Sequence, residues 1–139
     1  MSNIVIRGLV SADELEIAND LMARVHFSNY ADGMQWLRDF DANYPEYRRE
    51  HTRGMWLDGR LIAALRLVTH TVRLGEARLK MGGFAAVTTE PAFRGKGYMA
   101  RLMSDSMRYL QCQGYHVAAL FGIADFYHRI FDFSIDNII

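Results

Sequence analysis

"TTEPAFRGKGYMARLM", residues 88–103, is the stretch on which the reading of the fold turns. A short threonine-rich run leads through Glu90 into Pro91. Then come Arg94, two glycines flanking Lys96, and a Met/Leu-rich segment. The order reads as strand, loop, helix. A helix start carries N–H groups without intrahelical partners and a partial positive charge. Gly95 and Gly97 bear no side chain, so an anion can come close to those N–H groups. Arg94 and Lys96 add cationic charge. Such a loop suits a pyrophosphate. The plainer alternative is a tight strand-to-helix turn, and the residues alone leave both open. Two familiar phosphate loops do not fit. A P-loop has four residues between its glycines and then Lys-Ser/Thr, and the dinucleotide fingerprint has three spaced glycines early in a βαβ unit.

Beyond the loop, Met99, Leu102, Met103, Ser106, Tyr109 and Leu110 fall on one helical face, with Arg101, Asp105 and Arg108 opposite. Gly114 is placed to cap that helix. The apolar run at residues 115–121 fits a buried strand. Ahead of the loop, Asp58-Gly59 between apolar runs is a hairpin signal. A second reversal is expected near Gly75-Glu76. Residues 55–87 therefore read as an antiparallel meander, and Gly82-Gly83 inside its last arm suggests a bulge or a close backbone approach. Residues 4–7 read as a strand. Ser11 and Glu14 have capping-box spacing, and Leu15, Ala18, Leu21, Met22 and Val25 repeat at helical intervals behind them. A second helix spans residues 31–40, with Met34, Trp36 and Leu37 as its apolar content, before Pro45 interrupts. The order is β-α-α-β-β-β-α-β-α-β. The fold class is α/β, a sandwich with a mixed, mostly antiparallel sheet flanked by helices.

The chain has 139 residues, enough for a single domain over residues 1–139 with one real core. Lys+Arg and Asp+Glu both number 16, so the basic excess of a nucleic-acid or membrane-surface binder is missing. One cysteine, Cys112, rules out an internal disulfide and a cysteine-based zinc site, and no metal is expected. No run approaches membrane-spanning length. A cytoplasmic protein with no membrane or nucleic-acid partner is the expectation.

"VTTEPAFRGKGYMARLM", residues 87–103, resembles the acetyl-CoA-binding signature of the GNAT superfamily of N-acetyltransferases. The element order above is also that family's. "GIADFYHRIFDF", residues 122–133, is similar to the family's second landmark, an aromatic-Tyr pair on a short helix. The long meander and the "RGKGYM" wording look most like the catalytic domain of enhanced-intracellular-survival-type acetyltransferases. The resemblance implies that Val87, Thr88 and Thr89 offer backbone groups to the pantetheine arm of acetyl-CoA. It implies that Arg94, Gly95, Lys96, Gly97, Tyr98, Met99 and Ala100 surround the pyrophosphate. Two positions depart from the pattern. Met99 stands where Gly or Ala is usual, and Phe131-Asp132-Phe133 replaces the usual Gly-Phe.

The implied reaction is acetyl transfer from acetyl-CoA to a small-molecule or protein primary amine, by direct attack. Tyr127 matches the family's acid tyrosine and would protonate the leaving thiolate; its alternative is an aromatic packed beside Phe126. A strand N–H near Val87 would face the developing oxyanion. The base is left open among Glu90, His70, His51, Glu46 and Asp125. Trp36, Trp56, Phe40 and Tyr44 fit either an acceptor pocket or the core. The second functional class is a non-catalytic acyl-CoA-binding or interaction module. An apolar edge containing Ile135, Ile138 and Ile139 leads to the expectation of a homodimer.

Overall fold

Asp58 and Gly59 both take positive φ, 49° and 85°, the backbone of a two-residue turn whose twist matches the strands it joins. On either side lie β2 (Thr52–Leu57) and β3 (Arg60–Leu74). Gly75, at φ 60°, turns the chain again into β4 (Ala77–Thr89). The expected meander is therefore present. In this computed structural model residues 2–120 are described. Tyr127, the second landmark and the C-terminal edge lie outside them.

β1 (Ile4–Gly8) pairs antiparallel with β2, and β5 (Val117–Leu120) runs parallel to β4. Among the described residues the sheet order is β1-β2-β3-β4-β5, mixed and mostly antiparallel. Two layers of helix cover it. α1 (Ala12–His26) and α2 (Tyr30–Asn43) bury Ala18, Leu21, Met22, Met34 and Leu37 against Leu61 and Ala64. α3 (Tyr98–Cys112) buries Met99, Leu102, Met103 and Leu110 against Met55, Ile62, Leu65, Leu67 and Phe84. Leu61 and Ala64 of β3 thus serve one core and Ile62, Ala63, Leu65 and Leu67 the other; strict alternation is interrupted at Ile62, where the β2–β3 register shifts between Met55 and Trp56.

Local signals place the helix ends. The Ser11 hydroxyl accepts the Glu14 N–H. The return half of the capping box is not made. Glu14 turns instead to the Val10 N–H at 2.9 Å and to a two-pronged pair with Arg7, because a charged, bidentate partner is the stronger one. α3 ends with Gly114 at φ 81°, and Tyr115 donates its N–H to the Leu110 carbonyl, as a glycine-terminated helix should.

The pairing runs unbroken through Gly82 and Gly83, so of the two readings of that glycine pair the close approach holds and the bulge does not. Gly82 is small because α3 needs the room: a Cβ on it would meet Leu110 Cδ2 at 2.6 Å. Trp36, read as apolar content of α2, is 55% exposed and lies in a surface stack with Phe27 and Phe40.

Candidate functional site

The break in the β3–β4 ladder falls a few residues after the glycine pair. Ala64 pairs with Thr88 and Arg66 with Ala85, so Ala86 and Val87 together oppose Leu65. This is a β-bulge. Its strain is explicit: Ala86 has φ 52°, left-handed backbone that costs a non-glycine residue about 1–2 kcal/mol. Side chains hold the distortion. The buried Thr88 hydroxyl donates to the Ala86 carbonyl at 2.7 Å. His26, the last residue of α1, places Nε2 at 3.0 Å from the Val87 carbonyl and 2.9 Å from Thr88 Oγ1.

From Thr89 the chain passes through a 3-10 turn at Pro91–Phe93 into the glycine loop. Gly95 and Gly97 have φ 77° and 80°. Both need a residue tolerant of left-handed backbone, and glycine is the cheapest. Gly97 is the N-cap of α3. No side chain caps the helix, and its first turn holds no acidic residue. The first N–H groups therefore remain for an outside acceptor. A Cβ built on Gly95 or Gly97 would meet nothing within 4 Å among the described residues, so none of them crowds the loop.

The remaining loop residues divide by role. Arg94 and Lys96 are exposed. Arg94 Nε donates to the Thr89 carbonyl at 3.2 Å, tying the loop to the strand end, and Lys96 Nζ lies 5.7 Å from the centre of the Phe93 ring. Tyr98 is half-buried and opens the helix. Met99 is 8% exposed and points into the α3 core. A bulky residue at that position is thus accommodated by the core, not by the loop. Ala100 completes the first turn. Residues 87–89 and 94–100 accordingly form one continuous run from the bulge, through the loop, to the helix start. Tyr127 is outside the described residues.

Most of the candidate bases do not reach this place. Glu90 is held by Arg24 at 3.2 Å and Arg60 at 3.3 Å, joining α1 to the β2–β3 hairpin. Glu46, His51 and His70 line a separate cavity of about 420 Å³ with Thr69 and Tyr109. On β3 that cavity begins four residues past Leu65, roughly 13 Å along the strand. His51 is buried, and burial pushes its pKa below the ordinary value. Asp125 is outside the described residues. Among the described residues no group of three or more His, Cys, Asp or Glu side chains is placed to hold a metal, and no helix is long and apolar enough to cross a membrane.

Sequence reasoning missed two residues. Ala86 carries no sequence mark, because nothing in an alanine announces left-handed backbone. His26 belongs to no motif; its importance comes from the 61 positions that separate it from Val87 being closed by the fold.

Comparisons with known proteins bear on the fold and the family. No curated protein matches the chain. Among solved structures, a GCN5-related N-acetyltransferase from Anabaena variabilis superposes with a TM-score of 0.76 at 16% identity, covering 91% of this chain and 31% of that one. Eis1 from Mycobacterium abscessus gives 0.72 at 20% identity, over 91% of this chain and 30% of that one. A GNAT family acetyltransferase from Brucella melitensis, solved in complex with acetyl-CoA, gives 0.69 at 20% identity, over 93% and 82%. The chain thus spans about a third of the length of the first two and most of the third. At these identities the likeness is one of fold. The family model of an acetyltransferase (GNAT) domain matches residues 7–135, and the chain belongs to that family.

Proposed function

We propose that the chain binds acetyl-CoA as cosubstrate and transfers its acetyl group to a primary amine. The observation that carries this reading is the uncapped start of α3, opened by two left-handed glycines. Backbone N–H groups of residues 95–100, with Arg94 and Lys96, fit a pyrophosphate there. Backbone groups of Val87, Thr88 and Thr89 fit the pantetheine arm. The Val87 N–H is proposed to meet the developing oxyanion, and the Val87 carbonyl, an acceptor, is engaged by His26 Nε2 at 3.0 Å. Bound acetyl-CoA supplies an activated thioester. Tyr127 is proposed as the acid that returns a proton to sulfur.

The test is calorimetric titration with coenzyme A, followed by thiol release from acetyl-CoA across polyamines, aminoglycosides and peptides. Binding with turnover on at least one amine is expected. Binding without turnover on any amine would make the domain a non-catalytic acyl-CoA module. Absence of binding would overturn the anion-site reading itself.

A further inference from the structure

We propose that His26 is the general base of this site, with Nδ1 taking the proton from the incoming amine. The inference rests on the acetyl-transfer reading above. A carbonyl oxygen only accepts hydrogen bonds, so the contact with Val87 requires Nε2 to carry hydrogen. Thr88 Oγ1 gives its own proton to the Ala86 carbonyl, so towards His26 it also accepts. Both contacts assign the same tautomer. The lone pair of the neutral ring is then on Nδ1, which has no hydrogen-bond partner among the described residues. The strand orients the imidazole as a third group orients the base in other catalytic constellations.

Position supports the role. α1 and α3 cover opposite faces of the sheet. His26 therefore meets the bulge from the side away from the glycine loop. Nδ1 stands one imidazole ring beyond Val87, the residue proposed to face the reacting carbonyl. The side chain is exposed and open to a diffusing amine.

The charged groups on the surrounding elements are spent on one another. Arg24 pairs with Asp20 at 2.9 Å and with Glu90 at 3.2 Å, Arg60 pairs with Glu90 at 3.3 Å, and the Tyr30 hydroxyl donates to Asp20. Among the described residues none of them hydrogen-bonds to the His26 ring. In the step itself an N–C bond forms and the C–S bond breaks. One proton of the ammonium passes to Nδ1 and on to water. The second proton lost from nitrogen is balanced by the one that ends on sulfur as free thiol.

His26→Gln and His26→Ala separate a base from a prop. The glutamine amide can still donate to the Val87 carbonyl but holds no titrating lone pair. If His26 is the base, both variants lose roughly a hundredfold in kcat/KM. Both also lose the acid-side limb of the pH profile, while in His26→Gln, whose amide keeps the contact to Val87, coenzyme A affinity stays within about threefold. If His26 only supports the bulge, His26→Gln keeps wild-type turnover and its pH limb, and the proposal falls. A readout independent of activity is the ring nitrogen spectrum of 15N-histidine protein. Hydrogen on Nε2 and a bare Nδ1 in the neutral ring are expected for His26, and the opposite tautomer overturns the assignment. Wild-type protein inert on every amine would remove the acetyl-transfer reading, and this one with it. Active wild type with an unaffected glutamine variant would remove only His26.

Discussion

At Gly97 the backbone takes φ 80° beside a helix start with no cap. A Cβ there would meet no atom of the described residues within 4 Å, so crowding among them is not what requires glycine. The conformation is. An L-residue in left-handed backbone costs about 1–2 kcal/mol, and asparagine bears that cost better than alanine. Gly97→Ala should weaken coenzyme A binding about tenfold, which is ~1.4 kcal/mol. Gly97→Asn should retain most of the affinity. Calorimetry on both variants checks the order, and equal affinity for wild type and alanine would mean that the loop does not bind the nucleotide. Tyr127 carries the complementary prediction. Tyr127→Phe removes a hydroxyl and little volume. Turnover should fall by roughly a hundredfold with coenzyme A affinity nearly unchanged if the phenol is the acid. Steady-state kinetics with full activity would leave Tyr127 as packing.

Between elements, the strongest polar tie is one that no local pattern announced. Arg66 of β3 reaches Asp41 of α2 at 2.5 and 2.9 Å and Asn19 of α1 at 2.7 Å; Asn19 also donates to Asp41 at 3.0 Å. The arginine and aspartate side chains are 4% and 7% exposed. The cluster sits between both helices and the strand next to the bulge, since Arg66 pairs with Ala85. A buried ion pair is weak support relative to apolar packing, but breaking it leaves a charge stranded. Asp41→Ala should therefore cost about 3–5 kcal/mol. The check is the urea midpoint, with the slope unchanged. A shift of less than 1 kcal/mol would show that water reaches Arg66 and that the cluster is not dry. The neighbouring double substitution, Asp41→Leu with Arg66→Met, should recover most of the loss by removing both charges together.

Over the whole molecule, what was legible followed from sequence-local physics. Asp58-Gly59 and Gly75 mark turns because only a few residues tolerate positive φ. The α3 face was readable because its apolar residues recur with the helix period, and the glycine loop because its residues are contiguous. What was not legible depends on partners far apart in sequence. Gly82 was ambiguous, since a strand glycine serves a bulge or a close approach equally well, and only Leu110 decides between them. His51 is another such case: it ends the 3-10 turn Arg49–His51, and tertiary packing places it in the wall of the cavity. It is 5% exposed, its Nδ1 has no partner among the described residues, and its ring stands edge-on to Tyr109 at 6.4 Å. Burial is the main cause of its lowered pKa; nearby Arg48 and Arg53 lower it further, against Glu50 and Glu46, which raise it. Its folded pKa lies below the unfolded value, so the unfolded chain binds the proton first. The stability held by the neutral ring is complete above the unfolded pKa of about 6.5 and declines as pH falls towards and through the lowered folded pKa. Wild-type protein should thus lose melting temperature as pH drops below about 6.5. His51→Leu keeps an apolar side chain in the same place and has nothing to titrate, so its melting temperature should be flatter over that window. Parallel curves for the two proteins would show that His51 stays solvated enough to titrate as it does in the unfolded chain.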